Sequence, residues 1–459
     1  MNMINVRRLT VMTFLGAGML SGISAQVSPL QVDTLKETKI PDQWDLQSCI
    51  DYAKEQNITI RKNRITAVST QIDVKTAKAA MFPSLSFSTS QQVVNRPYQE
   101  TSSRVSGSEI ISSNSKTSYN GNYGLNASWT LYNGNKRLKT IQQEKLNNQM
   151  AELDVATSEN NIQESIAQVY IQILYAAESV KVNENTLQVS IAQRDRGQEL
   201  LNAGSIAKSD LAQLEAQVST DRYQLVTAQA TLEDYKLQLK QLLELDGENE
   251  MNIYLPALSD ENVLAPLPTK RDVYISALSL RPEIEASKLN VEASELGINI
   301  AKSSYFPTIS LSAGIGTNHT SGSDFTFGEQ VKNGWNNSIG LSVSMPIFNN
   351  RQTKSAVQKA KLQYETSMLS LLDEQKALYK TIESLWLDAN SAQQRYAAAN
   401  EKLKSTQISY ELISEQFNLG MKNTVELLTE KNNLLQAQHK YDCIRRKLSQ
   451  EIFGVAFWV

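Results

Sequence analysis

The chain has 459 residues, 41% hydrophobic and 20% charged, with only 7% aromatic content and a formal net charge of −3. That balance excludes a disordered tail and a bundle of apolar membrane helices, and the slight excess of acid argues against nucleic acid as a partner. With two histidines and two cysteines in the whole sequence, no pattern for a nucleophile–base pair, a metal cluster or a phosphate cradle appears, so no enzyme activity, cofactor or metal is expected.

Residues 1–25 read as a cleavable leader: Arg7 and Arg8, an apolar run from Leu9 to Leu20, then the small pair Ser24-Ala25. The run is too short to span a bilayer, which needs roughly 20 helical residues. Leu9-Thr10-Val11 fits a folded-export signal poorly, and no cysteine lies nearby to carry a lipid. Without the leader the formal charge is about −5. Export makes a Cys49–Cys443 disulfide chemically open, the alternative being two buried, free, small apolar residues.

All ten prolines lie at or before Pro97 or between Pro256 and Pro346, which leaves 98–255 and 347–459 free to be helical. Gly197 and Gly420 are the only glycines in 136–203 and 351–453 respectively. The expected elements run in order as a rising helix over 45–81, a strand over 85–95, a loop, a strand over 119–133 and a very long helix over 135–201. A glycine turn and a returning helix over 207–245 follow. A join at 247–270 leads to a second set with strands at 308–318 and 336–348 and another long helix.

Seams of apolar residues at steps of four and three mark these helices as coiled. One runs Leu378, Ile382, Leu385, Ala389, Ala392, Tyr396, Ala399, Leu403, Tyr410, Ile413, Phe417; another runs Ile162, Ile166, Val169, Ile173, Ala176, Val180, Leu187. Two more run Leu211, Leu214, Val218, Leu225, Ala228, Leu232 and Leu427, Leu434, Ala437, Tyr441, Ile444, Leu448. A helix over 135–201 would be about 100 Å long at ~1.5 Å per residue, far beyond a globular domain. The rising and returning helices together match that length and are expected to stack end to end along it.

The strands alternate oily with wet: Leu85, Phe87 and Thr89 against Ser84, Ser86 and Ser88, and Leu341, Val343 and Met345 against Ser342 and Ser344. Such strands suit a membrane barrel with one face on lipid and one on water, and equally a half-buried soluble sheet. Trp129, Tyr132, Trp335 and Phe348 stand near strand ends, where an interfacial girdle would lie. Four strands cannot close a barrel, and open edges are not tolerated in hydrocarbon, so several subunits must pool theirs.

The chain also repeats itself. Gly124-Leu125 recurs as Gly340-Leu341, Tyr132-Asn133-Gly134-Asn135 as Phe348-Asn349-Asn350-Arg351, and Leu201-Asn202-Ala203-Gly204 as Phe417-Asn418-Leu419-Gly420, all 216 residues later. Phe82-Pro83 recurs as Phe306-Pro307. The domains expected are a leader 1–25, a first repeat 26–246, a linker 247–270 and a second repeat 271–459.

This order of elements, with Phe-Pro at both strand entries (Phe82-Pro83, Phe306-Pro307) and Asn-containing corners, resembles the TolC-like outer-membrane efflux proteins over almost the whole processed chain. The segment from Trp44 to Ala53 is similar to that family's first equatorial helix, and Leu278 with Arg281-Pro282-Glu283-Ile284 to its second. The resemblance implies a mainly α fold with a small β part: a homotrimer with a twelve-stranded barrel, four strands per subunit, and a long coiled α-helical barrel. It implies an outer-membrane location reaching into the periplasm and passive exit for a tripartite efflux pump or type I secretion system. The partners implied are outer-membrane lipid, a periplasmic adaptor and an inner-membrane transporter.

The resemblance further implies that the turns at Gly204 and Gly420 form the periplasmic tip. There Lys422 corresponds to a basic residue linking across to Ser209 and Asp210, and Glu426 to the first of two acids ringing the entrance; Thr429 stands where the second acid would be. The plainer readings are surface charges and an exposed helix glutamate. His319, in the second strand-pair loop, and His439, on the last helix, show no ligand pattern. A periplasmic adaptor and a pore-free coiled scaffold are the rival readings; the doubled hairpin counts against the first and the amphipathic strands against the second.

Overall fold

The computed structural model describes residues 41–98, 102–106, 109–113, 116–246, 251–254, 266–321 and 325–457. The expected leader lies outside them, as does much of the expected join at 247–270. Gln43–Val459 form one compact unit.

Its elements are α1 (Leu46–Gln56), α2 (Ile58–Ala79), β1 (Ser84–Asn95), β2 (Ser102–Ser106), β3 (Glu109–Ser113), β4 (Thr117–Asn133), α3 (Lys136–Asn202) and α4 (Lys208–Leu242). The second half gives α5 (Lys270–Leu280), α6 (Pro282–Ser303), β5 (Thr308–Thr320), α7 (Phe327–Asn333), β6 (Asn336–Ser344), α8 (Gln352–Asn418) and α9 (Thr424–Phe457).

The repeat is written into the backbone. α1 and α5 are both 11 residues, α2 and α6 both 22, and α3 and α8 both 67, so each long helix is about 100 Å. Each is entered through two consecutive left-handed residues, Gly134-Asn135 (φ 66° and 64°) and Asn350-Arg351 (φ 52° and 64°). At the first corner a Cβ on Gly134 would stand 2.6 Å from the Ser303 carbonyl oxygen and 2.9 Å from Phe306 Cβ, so only glycine fits. Phe306, at the entry to β5, thus packs on the corner that launches α3.

The single rising helix expected over 45–81 is instead α1 and α2, broken at Asn57 (φ −60°, ψ 126°). The Asn57 side chain accepts from Thr59 N (2.9 Å) and Ile60 N (3.4 Å), and an asparagine that caps a new helix ends the old one. Its Nδ2 also donates to Leu242 O (3.1 Å), while Glu244 Oε1 accepts from Ile58 N (3.3 Å). These bonds join the end of α4 to the start of α2, so the two stack end to end along α3 as expected. Trp44, Cys49, Ile50, Ala53, Ile166, Tyr170, Ile173, Leu239 and Leu243 form the core at this junction. Val273, Ala277, Ile284, Leu378, Ile382 and Ala389 form its counterpart on α8.

The buried apolar residues of α8, among them Leu378, Ile382, Ala389, Ala392, Tyr396, Ala399 and Phe417, follow the expected seam. α3 buries more than one stripe, adding Ala167, Tyr170 and Tyr175, because it is packed by α1, α2, α4, α6 and α9.

Four strands make one antiparallel sheet in the order β1-β4-β5-β6, and β2 pairs with β3 in a separate hairpin. That hairpin and α7 occupy the two strand-pair connections that the sequence suggested were loops. α7 is started by Thr326, whose Oγ1 accepts from Glu329 N (3.4 Å) while Glu329 Oε2 accepts from Thr326 N (2.8 Å). β6 stops at Ser344 rather than 348, since Pro346 has no N–H to offer the ladder. Cys49 and Cys443 are not bonded to each other: Cys49 is buried and Cys443 exposed. Among the described residues no helix is long and apolar enough to cross a membrane.

Candidate functional site: a two-faced sheet and paired hairpin turns

The strand register sorts the alternation of each strand into two continuous faces. One face runs Leu85–Ala127–Ala313–Ile339 and Phe87–Leu125–Ile315–Asn337 across the sheet, then Trp129–Leu311–Leu341 and Tyr132–Ile309–Val343 on one side, with the mixed rows Thr89–Tyr123–Thr317 and Gln91–Gly121–His319 on the other. The other runs Ser84–Ser128–Ser312–Gly340, Ser86–Asn126–Gly314–Ser338 and Ser88–Gly124–Gly316–Asn336. This second face carries Ser, Thr, Asn, Gln and Gly, with Val94 near its end and no charged residue.

Among the described residues most of the apolar face is uncovered: Leu85, Phe87, Ile339, Leu341 and Val343 are all exposed. A soluble sheet would bury such a face, so burial against something outside the chain is required. The outer edges of β1 and β6 carry no strand partner among the described residues. An edge left open in this way is a template for further pairing.

Aromatic side chains bound the apolar face at both ends. Tyr119, Tyr123, His319 and Phe327 cluster at one end, with ring centroids 5.0–6.0 Å from His319. His319 is therefore the buried penultimate residue of β5 and not a loop residue, and its Nδ1 has no hydrogen-bond partner among the described residues. Trp129 stands at the other end and donates to Met81 O (2.8 Å). Ten residues of β4 separate Tyr119 from Trp129, about 34 Å at ~3.4 Å each. A strand tilt of about 40° projects this to roughly 26 Å, the height of a membrane-barrel apolar band. Phe82 and Phe306, preceding Pro83 and Pro307 at the strand entries, are also exposed.

At the far ends of the long helices the two turns are copies. Gly204 and Gly420 both have φ 72°, and Ser205 N donates to Leu200 O (2.9 Å) as Met421 N does to Gln416 O (2.8 Å). This is a glycine-closed helix end with its six-to-one hydrogen bond. Past the first turn, Asp210 Oδ2 accepts from Ala207 N (3.0 Å) and Ser209 is exposed. Past the second, Lys422 Nζ lies 2.7 Å from Glu426 Oε1, and Glu426 accepts from Asn423 N (3.2 Å). The Lys422 hydrogen bond, then the Asn423 N–H, hold the Glu426 carboxyl below its ordinary pKa. The subunit thus brings Lys422 and Glu426 together, and Asp210 serves its own helix start. Thr429 is exposed and donates to Val425 O (2.7 Å). His439 is exposed on α9.

Sequence reasoning missed a polar cluster above the turns. Asp221 of α4 and Lys431 of α9, 1% and 3% exposed, lie 2.8 Å apart. Ser190 of α3 contacts both, and Gln217 Nε2 donates to Asp221 Oδ1 (2.8 Å). Burial lowers the Lys431 pKa against the opposing effect of Asp221. The signal was present: the Leu211, Leu214, Val218, Leu225 seam skips a step at 221, and Leu427, Leu434 skips one at 431. Higher up, Arg445 Nη1 lies 3.3 Å from Glu178 Oε1, and burial followed by Glu178 raises the Asp442 pKa to about 6.

The sequence profile described as Outer membrane efflux protein matches residues 49–244 and 273–451. Outer membrane efflux protein BepC of Brucella suis biovar 1 is 24% identical over 282 residues, 61% of this chain and 59% of that protein. Outer membrane protein TolC of Escherichia coli K12 is 23% identical over 283 residues, 60% of this chain and 56% of that one. The matched regions therefore span somewhat under two thirds of these relatives. Among solved structures, CusC superposes with a TM-score of 0.76 at 18% identity, covering 90% of this chain and 91% of that one. The Campylobacter jejuni CmeC outer membrane channel superposes with 0.74 at 18% identity, covering 90% and 85%.

Proposed function

We propose that this chain, which belongs to the outer membrane efflux protein family, is one third of a passive exit duct: a homotrimer crossing the outer membrane as a twelve-stranded barrel and reaching into the periplasm as a helical tunnel. The observation that carries this is the register-aligned sheet, with one uncovered apolar face, one uncharged polar face and two open edges. Three such sheets joined edge to edge leave no edge in hydrocarbon and turn the oily face to lipid and the wet face to a lumen. The join between the two repeats falls at 247–270.

The duct serves a tripartite efflux pump or type I secretion system, with a periplasmic adaptor and an inner-membrane transporter as partners. It belongs to a transport family, and we assign it no catalytic step. Cargo passes by diffusion, and the bore of the barrel, lined by hydroxyls and amides, neither attracts nor repels ions.

Charge selection therefore falls to the tip. Three copies of Glu426 around the threefold axis favour cations, as charged rings do in other pores. With Thr429 in place of a second acid, the ring is single. Lys422, held to Glu426 within the subunit, exchanges to Ser209 and Asp210 of a neighbour to close the entrance. Single-channel recording of detergent-purified trimers in planar bilayers tests this. Glu426→Gln should abolish cation preference and Lys422→Ala should raise the open fraction; wild-type behaviour of both variants would remove the gate assignment, and a monomer in detergent would remove the duct.

A further inference from the structure

The Lys431–Asp221 pair is, among the described ion pairs, the one with both side chains buried. Its members occupy skipped seam steps on two different hairpins, α4 of the first and α9 of the second, and Ser190 of α3 is bonded to both. The surroundings are apolar: Leu214, Val218, Leu427, Leu434 and Leu435 are buried on the same helices. A polar residue at one step of an apolar seam gives up stability and specifies register, because any other alignment leaves a charge facing hydrocarbon. The repeat does not copy the cluster. The position matching Asp221 is the buried Ala437 and the one matching Lys431 is the exposed Glu215. The pair is therefore a feature of how the two hairpins meet, not of how each one folds.

Its height along the helices gives it a use. Ser190 stands 12 residues before the end of α3, about 18 Å from the first turn, and Lys431 7 residues into α9, about 10 Å from the second. We infer that Lys431, Asp221, Ser190 and Gln217 form a register lock between the two hairpins just above the turns, and that release of this lock is a step in opening the lower end of the tunnel. While the lock is closed, α9 can neither slide nor roll on α3 and α4 without carrying a bare charge past leucines. Once the seam parts, water from the lumen solvates both charges and the lock no longer holds.

The inference rests on the duct reading, and its test separates the two. Lys431→Met/Asp221→Leu removes both charges at near-constant volume; Lys431→Gln/Asp221→Asn removes them while keeping hydrogen-bonding groups, so the charge question is answered even if the apolar pair fails to assemble. Trimers of each are compared in planar bilayers with wild type and with Lys422→Ala/Glu426→Ala at the tip. At least a twofold rise in the time spent at high conductance is expected for either neutralised pair, with an unchanged trimer mass in detergent. Wild-type dwell times in a neutralised pair, alongside a rise in the tip variant, would overturn the lock and leave the duct standing. Absence of conductance steps in wild type would overturn the duct and the lock together.

Discussion

The assignment of the two sheet faces can be tested at adjacent residues of one strand. Leu125 and Asn126 are neighbours in β4, yet Leu125 lies between Phe87 and Ile315 on the apolar face and Asn126 between Ser86 and Gly314 on the polar face. Leu125 is also one residue from the midpoint between Tyr119 and Trp129, hence near the bilayer midplane. An arginine there costs about 2–4 kcal/mol per subunit, roughly 30- to 1,000-fold in each subunit's folding equilibrium and about 6–12 kcal/mol over three subunits. Asn126→Arg places the same side chain in water and costs close to nothing. Urea titration of folding into liposomes, followed by tryptophan fluorescence and trimer recovery, measures the difference. Equal behaviour of the two variants, or greater damage from Asn126→Arg, would refute the orientation of the sheet and with it the barrel.

Three further outcomes follow from packing and charge. Gly134→Ala, at φ 66° and against the Ser303 carbonyl, should lower trimer yield and melting temperature far more than Gly204→Ala, where the φ of 72° is the whole cost because nothing lies within 4 Å. Asn57→Ala loses a helix cap and the bond to Leu242 O and should cost about 1–2 kcal/mol in thermal unfolding, with Asn57→Asp retaining the cap. Asp442, raised from 3.8 to about 6 by burial and Glu178, holds its proton in the folded state through a window where the unfolded chain has lost it. The folded protein therefore loses stability as pH rises from about 4 through about 6, and Asp442→Asn should raise the melting temperature at pH 8 and leave it unchanged at pH 4.

How much of this was legible in the sequence depended on whether a signal was periodic. The two long helices and four sheet strands were readable because each repeats one rule over many residues: no proline, a three-and-four seam, or strict alternation. What escaped was set by single residues acting against a rule. Asn57 broke the rising helix because a cap can outbid continuation, and Pro346 shortened β6 by denying the ladder a donor. The second buried stripe on α3 is a tertiary fact, invisible without knowing that five helices crowd it. The Thr326-x-x-Glu329 start of α7 is a capping box confined to four residues, too local to show in any periodicity. At the tip, Lys422 and Glu426 were picked out by resemblance, but their mutual contact follows from four-residue spacing on one helix start and could have been expected from that alone.

The same contrast explains where the repeats agree and where they part. Backbone features recur with fidelity: helix lengths, left-handed corners and glycine turns all return at fixed offsets, because a change in any of them would misplace everything downstream along a rod of about 100 Å. Side chains at the contact between repeats are under no such constraint, since each half meets the other from a different side. The two hairpins can therefore differ at one seam step without disturbing either fold, and the structure uses that freedom where Asp221 and Lys431 replace the apolar residue expected. A charge at a seam step is destabilising alone and tolerated as a pair, so the two substitutions are coupled across 210 residues of sequence. That coupling makes a prediction separate from gating: reversing the pair, as Lys431→Asp with Asp221→Lys, should recover most of the stability that either single change removes, and failure to recover would show that Ser190 and Gln217 read the polarity of the pair and not only its presence.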